Sequence, residues 1–147
     1  MKKSNHSIRL TGILMIFVLI SYVGCVSTAY FDQYAYTQTI SLKVDGLNLM
    51  DLAKDNFNTH QVIVKEYQTK LLKVYEYEKN RPKNDFTTKL WDKLLDSNGH
   101  LLGGFLNRWE KEKKLNETFI NEEKKLVSEA FDQIARLESG KNKSSSK

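Results

Sequence analysis

Between Ile40 and Val74 the side chains Ile40, Val44, Leu47, Met50, Ala53, Phe57, His60, Val64, Tyr67, Leu71 and Val74 follow one another at steps of three and four. That spacing places them on one face of an α-helix, whereas a strand needs alternation at every second residue. The mean step of about 3.5 is close to a coiled-coil seam. Leu42, Leu49, Leu52, Ile63 and Leu72 widen the stripe, and Lys43, Asp51, Lys54, Glu66, Lys70 and Glu76 occupy the polar side. The chain has one Pro and seven Gly in 147 residues, far too little punctuation for the frequent turns of an all-β domain.

If unbroken from Asp32 to Asn80, this helix would reach about 73 Å at 1.5 Å per residue, against an ordinary helix of about 11–12 residues. Gly46 and the poor helix formers Asn56-Phe57-Asn58-Thr59 are the expected places for a bend or break. The stop is sharper. Asn80-Arg81-Pro82-Lys83-Asn84 forces a reversal, and Asp85 is suited to cap the next helix. Phe86, Leu90, Trp91, Leu94 and Leu95 predict a helix ending at Asp96-Ser97-Asn98-Gly99. Leu101, Leu102, Phe105, Leu106 and Trp109 predict another within His100–Lys114, and Phe119, Ile120, Glu123, Val127, Phe131, Ile134 and Leu137 a last one. The expected fold is all-α, a long N-terminal helix packed against two or three shorter antiparallel helices over residues 37–139, with a disordered Lys/Ser tail at 140–147. A long helix outrunning its neighbours would leave its stripe open to a protein partner or to self-association.

The first residues obey a different logic. Met1–Arg9 carries Lys2, Lys3 and Arg9, and Leu10–Val23 is uncharged and mostly apolar. A basic segment, an apolar run and then small residues is the pattern of an export signal. The only cysteine of the chain, Cys25, comes after Gly24 where the apolar run ends. Here the sequence resembles a bacterial lipoprotein precursor, with Tyr22-Val23-Gly24-Cys25 in the place of the lipobox. Val23 and Gly24 fit that pattern, while Tyr22 stands where the family usually has Leu or another aliphatic residue. The resemblance implies cleavage before Cys25, a diacylglyceryl thioether on its sulfur, residues 25–36 as a lipid-anchored tether and, because Val26 rather than Asp comes next, the outer membrane in a cell that has one. Three other readings of the same residues remain: cleavage after Ala29 with Ser27 at minus three, an uncleaved anchor over the uncharged run Leu10–Phe31, or a merely buried cysteine. The export readings share one topology, basic N-terminus inside and the body outside the cytoplasmic membrane.

Charge excludes little beyond nucleic acid. The net charge of +5 comes mainly from the ends: of 23 basic and 18 acidic residues, 17 and 18 lie between residues 25 and 138. A nucleic-acid binder concentrates Lys and Arg on one face, and here the signs are interspersed. No chemical constellation stands out. His60 and His100 would need to converge with Asp55 or Asp96 to act on a metal or substrate, and no HxxxH or ExxH spacing supports that. Glu76 and Glu78 near Glu66 do not share a helix face and read as a solvated surface. Gly99-His100-Leu101-Leu102-Gly103-Gly104 lacks the preceding strand and Lys of a phosphate loop and reads as a turn with close helix packing. Tyr30, Phe31, Tyr34 and Tyr36 suit either a membrane–water boundary or the first turn of a helix, and Tyr67, Tyr75, Tyr77, Trp91 and Trp109 suit the core. Asn116-Glu117-Thr118 matches a glycosylation acceptor, without meaning in a bacterial chain. The expected function is non-catalytic: a lipid-anchored envelope protein that binds or scaffolds, without cofactor or metal. An envelope enzyme with an unrecognised site and an inhibitor or immunity-type protein are the alternatives.

Overall fold

The computed structural model describes residues 28–141, so Cys25 and the export segment lie outside the described residues, as do 142–147 of the expected tail. The described chain forms five α-helices: α1 Gln33–Asp51, α2 Phe57–Lys79, α3 Asp85–Leu95, α4 Leu102–Glu112 and α5 Glu117–Ser139. They form an all-α antiparallel bundle, as the apolar periodicity requires. Lys43–Asp132 and Lys124–Asp51 ion pairs, at 2.7 and 2.6 Å, fix α5 antiparallel to α1. Tyr77 Oη donating to Asp32 at 2.6 Å and Lys70 to Asp45 at 3.2 Å do the same for α2, and Tyr67 Oη donates to the Leu42 carbonyl at 2.8 Å. The Tyr75–Asp92 hydrogen bond links α2 to α3. Because α3 and α4 are 11 residues each, end to end they match the 23 residues of α2 and α5. The result is a four-column bundle with a broken third column.

The single long helix does not form. Leu52–Lys54 tightens into a 3₁₀ turn, Asp55 is extended, and Asn56 caps α2 by accepting from the Asn58 N–H at 3.0 Å. Of the two weak points in the sequence, the Asn-rich one breaks and Gly46 stays helical. The break also resets the phase of the stripe. In α2, Phe57, Val64, Tyr67, Leu71 and Val74 are buried as the spacing predicts. In α1 the buried set is Ala35, Thr39, Leu42, Gly46, Leu49 and Met50, while Val44 is exposed. A stripe read in one register through the turn caught Leu42, Leu49, Met50 and Ala53 but took in exposed Val44 and passed over the small core positions Thr39 and Gly46, which carry no apolar signal. The two halves face each other within one chain instead of presenting a continuous seam.

Gly46 stays because α1 and α2 touch there. A Cβ on Gly46 would overlap the Tyr67 hydroxyl, which is buried and held on the Leu42 carbonyl. Burial pushes the Tyr67 phenol well above its ordinary range. The corner between α3 and α4 depends on glycine in the same way: a Cβ on Gly103 or Gly104 would overlap the Leu95 or Gly99 carbonyl oxygen, so the glycine cluster serves close packing. Around these contacts the core is aromatic. Trp91 meets Phe131 edge-on at 5.9 Å, and Trp109 meets Phe57 at 5.3 Å while its indole N–H donates to the Asp55 carbonyl. Phe86, expected on the apolar face of α3, is 65% exposed.

Among the described residues two other than glycine, Lys83 (φ 61°) and Lys113 (φ 66°), adopt left-handed backbone. Each offers its carbonyl to a distant segment: Lys83 to the Ala29 N–H at 3.0 Å and Lys113 to the Phe57 N–H at 2.8 Å. A left-handed conformation costs a side-chain-bearing residue about 1–2 kcal/mol. Lys113→Gly is therefore expected to raise the unfolding free energy by a fraction of that amount, the rest being offset by glycine's larger unfolded-state entropy. Gly46→Ala should lower stability by about 1–3 kcal/mol, because overpacking and loss of the buried hydroxyl bond outweigh alanine's helix propensity. Urea melts of Gly46→Ala, Tyr67→Phe and the double variant test the contact, the double being less destabilised than the sum of the singles.

Candidate functional site

The carboxylates of Glu78 and Glu138 lie wholly inside the fold. Each extends a core stripe by one helical step, Glu78 after Leu71 and Val74 in α2, Glu138 after Phe131 and Ile134 in α5. The reversal at Pro82 brings Arg81 between them. Its guanidinium donates to Glu78 Oε2 at 2.8 Å and to both oxygens of Glu138 at 3.0 Å, and Nη2 also donates to the Tyr30 carbonyl at 2.6 Å. Lys141 enters from beyond the end of α5 and donates to Glu138, to Asn84 Oδ1 at 2.6 Å and to Thr87 Oγ1 at 3.1 Å. Asn84 donates in turn to Glu78 Oε2 at 2.6 Å and to the Glu78 carbonyl. Two acids and two bases are thus closed off together beneath the N-terminal segment.

The two glutamates differ electrostatically. Burial raises the Glu78 pKa, and Arg81 and Asn84 offset this only in part; Glu78 Oε1 is buried without a partner. Burial opposes ionisation of Glu138 too, but the bonds from Arg81, from Lys141 and from the Asp32 N–H at 2.7 Å outweigh it, so its pKa is lowered. Arg81 is held firmly protonated: desolvation would favour its neutral form, and the two carboxylates overcome that. Just outside, Asp32 caps α1 through the Ala35 N–H and accepts from the Tyr77 hydroxyl at 2.6 Å, which pushes the Tyr77 pKa up to about 12. The entering chain, the α2–α3 turn and the end of α5 are joined at one point.

The carboxylates and cations of this site pair with one another inside the fold and tie three segments of the chain together. The site also corrects several expectations. Glu78 is a core residue and not part of a solvated face, whereas Glu76 is exposed beside Lys79 at 3.8 Å and Glu66 is exposed on the α1–α2 cleft. Lys141 belongs to the fold rather than to the tail, and the helical domain starts at Gln33 rather than at residue 37, because Asp32 supplies the cap. Asp85 opens α3, but the cap position falls to Asn84, whose side chain is committed to Glu78.

The histidines do not meet. His60 lies 3.6 Å from Asp55 and against Trp109, and exposed His100 faces Glu123 of α5, while Asp96 accepts from the Asn98 N–H in its own turn. Among the described residues no group of three His, Cys, Asp or Glu could hold a metal ion, and no helix is long and apolar enough to cross a membrane. A cleft of about 350 Å³ lies between α1 and α2, lined by Leu49, Leu52, Ile63, Tyr67 and the charged Asp45, Glu66 and Lys70. No protein-family model, curated protein or solved structure matches this chain.

Glu138→Gln removes one partner from a buried network and should cost about 3–5 kcal/mol at pH 7. Glu78→Gln should cost less, because the charge it removes is poorly paired. The sign of the pH dependence comes from the lowered Glu138 pKa: its stabilisation is present above the unfolded carboxylate range near pH 4.3 and is lost as pH falls through the folded value. The stability gap between wild type and Glu138→Gln, measured by urea unfolding, should accordingly close below about pH 4.

Proposed function

We propose that this chain is an extracytoplasmic lipoprotein of the bacterial envelope, held by a lipidated Cys25 and acting through its helical body by binding or scaffolding rather than by catalysis. The observation that carries the reading is the integration of the segment just after Cys25 into the fold. Ala29 is buried and its N–H bonds to Lys83, the Tyr30 carbonyl receives Arg81, and the Asp32 N–H reaches Glu138. Cleavage before Cys25 leaves all three ties in place, whereas cleavage after Ala29 removes the first of them. Cys25 is three residue steps from Thr28, a reach of at most roughly 10 Å at about 3.3–3.6 Å per residue. A lipid on Cys25 therefore holds the bundle close to the bilayer. A diacylglyceryl group with a further N-acyl chain would anchor durably, where a single acyl chain would hold only marginally.

Metabolic labelling with a palmitate analogue, in wild type and in Cys25→Ser, tests this. Wild type should take up label and fractionate with membranes, and Cys25→Ser should do neither. Absence of label from wild type contradicts the reading.

A further inference from the structure

The large apolar side chains exposed to solvent divide by type and by place. The aliphatic ones, Val44, Val62, Ile63, Leu72 and Leu126, are scattered along the bundle. The aromatic ones, Tyr30 (65%), Tyr34 (49%), Tyr77 (39%) and Phe86 (65%), all sit at the end where the chain enters. Tyr30 precedes α1, Tyr34 is in its first turn, Tyr77 is in the last turn of α2, and Phe86 is in the first turn of α3. They surround the Arg81–Glu138 cluster, which fixes the three helix ends that carry them. Tyr34 and Tyr77 are locked together edge-on at 4.8 Å. Exposed Lys79 and Lys83 lie in the same layer.

Aromatic rings with lysines beside them are the side chains that favour the headgroup layer of a bilayer, where a ring can be half-buried and an ammonium can meet phosphate. We infer that this end of the bundle is a membrane-seating surface: Tyr30, Tyr34, Tyr77 and Phe86 insert at headgroup depth, Lys79 and Lys83 contact lipid phosphates, and the bundle stands upright on the bilayer. The occupant is a lipid surface because the 27 residues that precede the described chain enter the fold at this end, so that either a lipidated Cys25 after cleavage or the retained apolar run Leu10–Val23 brings a bilayer to it. The inference draws its proximity from the anchored reading, while the aromatic layer itself is independent of what happens to Cys25. Seating would fix the orientation of the body and leave the α1–α2 cleft and the α4 end facing away from the membrane or along it.

The test uses the full chain extracted from membranes and reconstituted into phosphatidylcholine–phosphatidylglycerol vesicles. A nitroxide is placed on Asp85→Cys, in the aromatic layer, or on Lys114→Cys, at the far end. The free-thiol count before labelling reports separately whether Cys25 is blocked. In floated vesicles the label at 85 should be several-fold more accessible to oxygen relative to a water-soluble nickel chelate than the label at 114. Adding Tyr30→Ser and Phe86→Ser, both exposed positions, should bring the two labels to the same ratio. Equal ratios in the otherwise unaltered protein, with Cys25 blocked and the protein floating, overturn the seating surface and leave the anchor standing. Failure to float overturns the seating surface as well, and a free Cys25 in that case overturns the anchor with it.

Discussion

The contact between Arg81 and Glu138 is where the ends of this fold meet. It joins residues 57 apart in sequence, and through the same two side chains it collects the carbonyl of Tyr30 and the N–H of Asp32. Around it run the Ala29–Lys83 backbone bond, the Tyr77–Asp32 bond and the Lys141 bonds to Asn84 and Thr87, so the turn at Pro82, the end of α5 and the entering segment are joined by directional contacts, which apolar packing alone does not supply. Two glutamates taken out of water cost several kcal/mol each in principle, and only a closed set of donors makes that tolerable. Here the set closes around Glu138 and stays open around Glu78, so one carboxylate holds the junction while the other strains it.

The helices and the outer turn were legible in the sequence because their signals are local. Asn80–Asn84 stops α2, the glycines near residue 100 make a corner, and α2 and α5 keep closely to their stripes. The face of α1 was legible only in part, through Leu42, Leu49 and Met50. Its core positions include Ala35, Thr39 and Gly46, which are chosen for size because α2 and α5 approach closely, and an apolar count passes over them. The buried network was hidden for a related reason. Glu78 and Glu138 sit at the next step of apolar stripes, a faint sign of burial, but the cations that justify them come from a turn and from a tail and share no sequence pattern with them.

The structural and anchoring features converge on one end of the molecule. The lipobox-like segment leads there, the polar junction stiffens it, and the exposed aromatic side chains gather there. The opposite end is closed by the backbone bonds of Phe57 to Lys113 and of Leu115 to Ala53 and by the Trp109 indole on the Asp55 carbonyl, and among the described residues it carries no exposed aromatic layer. A bundle polarised in this way suits a body that has to be held in a defined posture. In the proposed reading, binding or scaffolding would fall to the surfaces farther along the columns, among them the α1–α2 cleft with its apolar floor and charged rim.

The most direct measurement is the intact mass of the mature protein extracted from bacterial membranes, with fragmentation of its N-terminal peptide. Anchoring through Cys25 predicts a chain that begins at Cys25 and carries a diacylglyceryl thioether. A chain that begins at Tyr30, or one that retains Met1 with an unmodified Cys25, would contradict it.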